Sequence, residues 1–79
     1  MVAYYTISRE NLRALRLHRR MTQVKLANAA GVAEQTITRM ETGTHTPQFE
    51  TLEKVAAALG TDPENFIIHH TQFRSSPSL

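Results

Sequence analysis

Apolar residues along this chain fall into short groups at helical spacing, divided by glycine, proline and capping residues. Leu12 and Leu15, preceded by Ser8 as N-cap and Glu10 in the first turn, predict a helix over about 8–20. Met21 continues that stripe just past its end, whereas Leu17 falls off it and is either half-exposed or in contact with something else. Leu26, Ala27 and Ala30 predict a second helix over 23–30, capped by Thr22. Ile37 and Met40 predict a third over about 33–42, ended by Gly43. A loop comes next, because Pro47 steers its predecessor away from helical geometry. Phe49, Leu52, Val55, Ala56 and Leu59 then predict an inward face on a fourth helix over about 49–59, with Gly60 at its end. Asp62-Pro63 reads as a restart into a short fifth helix that buries Phe66 and Ile67.

The expectation is therefore an all-α fold of five short helices, organised around residues 23–42. Neither the second nor the third helix is long enough to bury a core face alone. Joined by a turn at Gly31-Val32 they can cross steeply and share one, with Ala27 small at the crossing, as in a helix-turn-helix. The remaining chain divides into an N-terminal lead-in (1–7), extended or loosely ordered, whose Tyr4, Tyr5 and Ile7 cover the core edge or meet a partner subunit, the helical domain (8–68), and a flexible tail (69–79) without apolar period.

Composition narrows the function classes. Seventy-nine residues suffice for one small domain. No apolar run approaches the roughly 20 residues of a membrane span, and MVAYYTI lacks the basic start of a secretory signal. Cysteine is absent, so neither disulfides nor thiolate metal sites hold the fold, and a cytoplasmic location is expected. The net charge of +2 says little, but its distribution says more. Residues 1–40 carry seven basic and two acidic side chains, residues 41–79 two basic and five acidic. One end can face a polyanion while the other does not.

A longer set of positions, Leu12 and Arg16, Met21-Thr22-Gln23, Leu26-Ala27, Gly31-Val32, Thr36-Ile37, Met40-Glu41 with Gly43, Pro47, Leu52 with Val55-Ala56, and Leu59-Gly60, closely resembles the lambda-repressor-like, or Cro/Xre-type, DNA-binding domain. The likeness covers about residues 9–68. It implies a transcriptional regulator, a repressor acting as a homodimer on a two-fold-related double-stranded DNA operator. The third helix would lie in the major groove and the second across the backbone, with half-sites about 34 Å apart. By the same analogy the dimer surface is placed on the fifth helix (Phe66, Ile68) and the segment after it.

Candidate contacts derive from that placement and from side-chain chemistry. Gln23, at the start of the second helix, can meet a phosphate with backbone N–H and its own amide together. Glu34, Gln35, Thr38 and Arg39 form the face opposite Ile37 and Met40. Gln suits the adenine N6/N7 edge, Arg the guanine O6/N7 edge and Glu the cytosine N4, each good bidentate pair discriminating by roughly 1–3 kcal/mol. Glu34 also suits a helix N-terminus, since a carboxylate among phosphates costs electrostatically. Thr36 is either a phosphate contact or an exposed filler; Thr44, His45 and Thr46 of the adjoining loop are assigned to phosphate, and Arg13 either adds phosphate attraction or is solvated surface. Arg16 and Glu41 stand where the resembling family often pairs an arginine of the first helix with a glutamate ending the third, a structural ion pair that would fix the recognition helix.

Other chemistry finds little footing. His45, His69 and His70 lack a further ligand at useful spacing, so no metal site or cofactor is expected. No Ser/His/Asp set, glycine-rich phosphate loop or pair of inward carboxylates marks an enzyme. The competing function is a protein-interaction module of antitoxin or coactivator-bridge type, for which Tyr4-Tyr5 and the tail would serve as contacts.

Overall fold

Helix boundaries in the computed structural model follow local capping chemistry. The structure describes the backbone of residues 2–43 and 46–72, and the side chains of 5–43 and 46–69. Helix α1 spans Arg9–His18; the Ser8 hydroxyl accepts from the Asn11 N–H at 3.3 Å. It ends two residues short of the sequence expectation, where Arg20 turns to a φ of 55°. Helix α2 spans Gln23–Ala30, with the Thr22 hydroxyl accepting from the Lys25 N–H at 3.0 Å. Gly31 comes next at φ 72°, and the Val32 N–H closes the turn onto the Ala27 carbonyl at 3.0 Å. Helix α3 spans Glu34–Thr42 and α4 Phe49–Ala58.

The core is a single cluster in which Leu12, Leu26, Ile37, Met40, Leu52, Val55 and Phe66 are fully enclosed. Ala27, also buried, lies in α2, which packs against both α3 and α4. Gly31 has nothing near the place a Cβ would occupy, so the demand there is on backbone angle alone. Leu17 is half-exposed, the first of the two alternatives left for it. Phe49 departs from expectation: it is 44% exposed, because as the first residue of α4 it sits beyond the enclosed stripe. Its ring instead meets Tyr5 edge-on, with centroids 6.1 Å apart.

The fifth helix does not form, and the fold is not all-α. Pro63–Asn65 makes one 3₁₀ turn after Asp62, whose side chain makes no cap hydrogen bond. The chain then extends as β2, Ile67–Gln72, antiparallel to β1, Val2–Ile7. Proline after aspartate starts a turn equally well for one rung or for many. The next segment, Ile67-Ile68-His69-His70-Thr71, is rich in β-branched residues and finds a partner strand of the same character. The lead-in is thus extended, the first of its two readings, and Tyr5 and Ile7 pack against the core. The first four residues assigned to a flexible tail, 69–72, lie in β2, which starts inside the expected helical domain and pairs with the lead-in. Residues 73–79 of that tail lie outside the described residues. Among the described residues, four α-helices, one 3₁₀ turn and a two-stranded ribbon result.

Because Gly31 needs only its angle, Gly31→Ala is expected to destabilise by roughly 1–2 kcal/mol. Urea unfolding should show a lower midpoint at unchanged slope; an unshifted midpoint would contradict the role given to this turn.

Candidate nucleic-acid interface

Helix α3 is two-faced. Ile37 and Met40 are completely buried, while Glu34, Gln35, Thr38 and Arg39 are all exposed on the other side. Ala33 at its N-cap offers no side-chain acceptor, so the acidic residue in the first turn, Glu34, is the compensation nearest the helix's positive end. Thr36 is partly covered, and the Thr36 N–H bonds the Ala33 carbonyl at 3.0 Å.

The far end of α3 is fastened to α1. Arg16 Nε donates to Glu41 Oε2 at 2.6 Å and Nη2 to Oε1 at 3.0 Å, a two-pronged grip. Its third nitrogen, Nη1, donates to the Met21 carbonyl at 2.9 Å and so ties in the α1–α2 connection. The side chains of the pair keep only 10% and 5% of their exposure. The hydrogen bond to Glu41 raises the Arg16 guanidinium above its ordinary pKa, against partial burial and with help from the same carboxylate's charge. A raised arginine contributes its stability at every pH below its unfolded value and loses it only as pH climbs through the folded one. The arginine half of the pair therefore does not respond to pH near neutrality.

Glu41 also receives Gln23. Gln23 Nε2 donates to Glu41 Oε1 at 3.3 Å, and the Thr38 hydroxyl donates to Gln23 Oε1 at 2.9 Å. The amide can be placed only this way round: its nitrogen faces a carboxylate and its oxygen a hydroxyl. Arg16, Glu41, Gln23 and Thr38 thus form one chain of polar contacts across α1, α2 and α3. Sequence reasoning assigns Gln23 and Thr38 to separate tasks, and no spacing rule can join residues 15 apart on helices of unknown crossing angle.

A second fastening is also invisible to the sequence pattern. Arg9 Nη1 donates to the Thr42 carbonyl at 3.3 Å, and the Arg9 side chain lies over Gly43, whose φ is 76°. A Cβ at Gly43 would come within 2.6 Å of Arg9 Cδ. A cation at a helix C-terminus is favourable there. Arg13, exposed, lines a shallow recess with Arg9, Glu10 and Glu41. Thr46 is exposed, whereas Thr44 and His45 lie outside the described residues. No group of three His, Asp or Glu side chains able to hold a metal comes together among the described residues, and no helix there is long and apolar enough to cross a membrane.

Removing one partner of the ion pair strands the other. Glu41→Ala is expected to cost about 3 kcal/mol, the lower end for a buried pair. A double-mutant cycle with Arg16→Ala should show that the second truncation adds far less than the first. Additive losses would show the two groups to be independent.

Known proteins align with this arrangement. A family model described as helix-turn-helix matches residues 12–66. The cryptic phage CTXphi transcriptional repressor RstR of Vibrio cholerae is 41% identical over 49 residues. That match spans 62% of this chain and 44% of the repressor, less than half its length. Among solved structures, the restriction-modification controller protein C.AhdI from Aeromonas hydrophila superposes with a TM-score of 0.69 at 26% identity, over 72% of this chain and 86% of that one. A protein from Bacteroides fragilis, described as DNA-binding, gives 0.67 at 26% identity over 82% of this chain and all of its own. The enclosed crossing of α2 and α3, its left-handed glycine turn and the family match across both place this chain in the helix-turn-helix family of Cro/Xre type.

Proposed function

We propose that this protein is a sequence-specific double-stranded-DNA-binding transcriptional regulator, a repressor that acts as a homodimer on a two-fold-related operator. The observation that carries the reading is the exposed polar face of α3 on a helix whose opposite face and C-terminal end are both fixed. A nine-residue helix is not stable in isolation. Here its order is provided before any ligand arrives, so binding need not meet the cost of folding it. The names of the relatives, a repressor and a controller, point the same way.

In this reading α3 enters the major groove and Glu34, Gln35, Thr38 and Arg39 reach base edges. Gln23, Thr36, Arg13 and the 44–46 loop meet phosphates and set the register; those contacts carry no sequence information directly. Gln23 has a further task. Its amide holds Thr38 and Glu41 while its backbone N–H, at the start of α2, remains directed outward from the helix end. A phosphate gripped there fixes the residue that orients Thr38 over the bases.

Binding is best followed by fluorescence anisotropy with duplexes enriched from a random pool, at two salt concentrations. Gln35→Ala and Arg39→Ala are expected to lower the preference for the enriched sequence by roughly 1–3 kcal/mol. Gln23→Ala should weaken enriched and random duplexes alike and, through Thr38, blur preference at one base step only. Equal loss of discrimination in all three variants would defeat this division of labour. Failure of the wild-type chain to retain any duplex, with tight capture of a protein partner, would favour the interaction-module reading instead.

A further inference from the structure

Between Arg39 and Lys54 the chain carries no lysine or arginine. The C-terminal end of α3 therefore has no cation of its own beyond Arg39. Its charged residue there is Glu41, and its last carbonyls add a partial negative charge. A helix of nine residues is about 13 Å long and the major groove about 12 Å wide. When such a helix lies in the groove, neither end is far from a phosphate backbone. Left to its own residues, this end would repel one.

Helix α1 supplies what α3 lacks. Arg9, 33 positions before Thr42, donates from Nη1 to the Thr42 carbonyl and stays exposed. Its side chain passes over Gly43, where a Cβ would stand 2.6 Å from Cδ and 3.1 Å from Nε. Glycine is thus demanded twice at 43, by a φ of 76° and by the arginine laid across it. A guanidinium carries five N–H donors in one plane, and the Thr42 carbonyl is the one hydrogen-bond partner of Arg9 among the described residues. Arg13, one turn further along α1, lines the same recess, with Glu10 and Glu41. Both Glu41 oxygens are taken by Arg16, one of them also by Gln23, so that charge is already matched. Arg9 and Arg13 against Glu10 leave the recess net positive.

The other end of α1 repeats the fastening without the recess. Arg19 Nη2 donates to the Gly60 carbonyl at 3.5 Å, and a Cβ at Gly60 would come within 3.0 Å of the same nitrogen. Holding a helix end is therefore one task, and Arg19 performs it for α4. Arg9 differs in being at the end of the helix with the exposed polar face and beside a second guanidinium.

We propose that Arg9 and Arg13 form a cradle for one DNA phosphodiester at the C-terminal end of α3, with Arg9 held in place by the Thr42 carbonyl and the bare Gly43. The inference rests on the DNA-binding reading above and adds Arg9, which no sequence pattern assigns. One plane of donors bonds the end of α3 and the phosphate together, so the contact also sets how that end sits in the groove. Because the guanidinium is seated before DNA arrives, less side-chain freedom is lost on binding.

Anisotropy titrations of the full chain over a salt series, with enriched and random duplexes, test this. Arg9→Gln is expected to weaken both duplexes alike by about fivefold, the upper end for an exposed charge pair. It should also lower the slope of log K against log salt by about 0.9, one phosphate. Arg13→Gln added to it should change the slope little further, since the phosphate is shared. Gly43→Asn accepts the left-handed angle but displaces Arg9, so it should reproduce the reduced slope and add nothing to Arg9→Gln. Arg19→Gln removes the same charge from the same helix and should keep the wild-type slope. Urea midpoints without DNA report the helix-fastening role separately, and a merely structural Arg9 would shift those alone. An unchanged slope in Arg9→Gln, an equal loss in Arg19→Gln, or a second full phosphate lost with Arg13→Gln would overturn the proposal. A wild-type chain that retains no duplex overturns the DNA-binding reading with it; a salt-sensitive wild type indifferent to Arg9 overturns the cradle alone.

Discussion

The grip of Arg16 on Glu41 is the contact through which the other features of the site act. Helix α3 presents its polar face outward, and a helix so short is held only by what it touches. Burial of Ile37 and Met40 fixes its rotation about its own axis. It does not fix the swing of its C-terminal end. The guanidinium does, because its two prongs define a plane and its third nitrogen is committed to the Met21 carbonyl. Arg9, folded over Gly43 and bonded to the last carbonyl of α3, also limits that end. The net stability from such a buried pair is modest, since desolvation offsets much of the attraction; its contribution is to orientation.

From that anchor the polar chain runs through Gln23 to Thr38. Each member uses the atom its chemistry dictates, and no described side-chain nitrogen or oxygen is buried without a partner. The consequence for recognition is mechanical. The helix that would cross the DNA backbone and the helix that would face the bases are joined by an amide, so a displacement at one is felt by the other.

Much of this is legible in the chain because it is local. Ser8 and Thr22 as caps, Gly31 as a left-handed turn and the inward residues of α2 and α3 depend on neighbours a few residues away. The residues after Asn65 are not legible for the opposite reason. Phe66 and Ile67 are buried under either a helix or a strand, and the deciding factor is a partner segment near the other end of the chain. Phe49 misleads because apolar periodicity carries no information about where a stripe runs out of core. Gln23 meeting Thr38 and Arg9 meeting Gly43 require the crossing angles, which no pattern of residue types supplies.

The direct test of the central claim is an amide NMR footprint on an enriched duplex. Titration should shift the backbone amides of residues 22–25 and 33–39 most, with the α4 amides near their free positions. If the largest shifts fall instead on α4 and the ribbon, with α3 unmoved, the exposed face of α3 is not the surface that meets DNA.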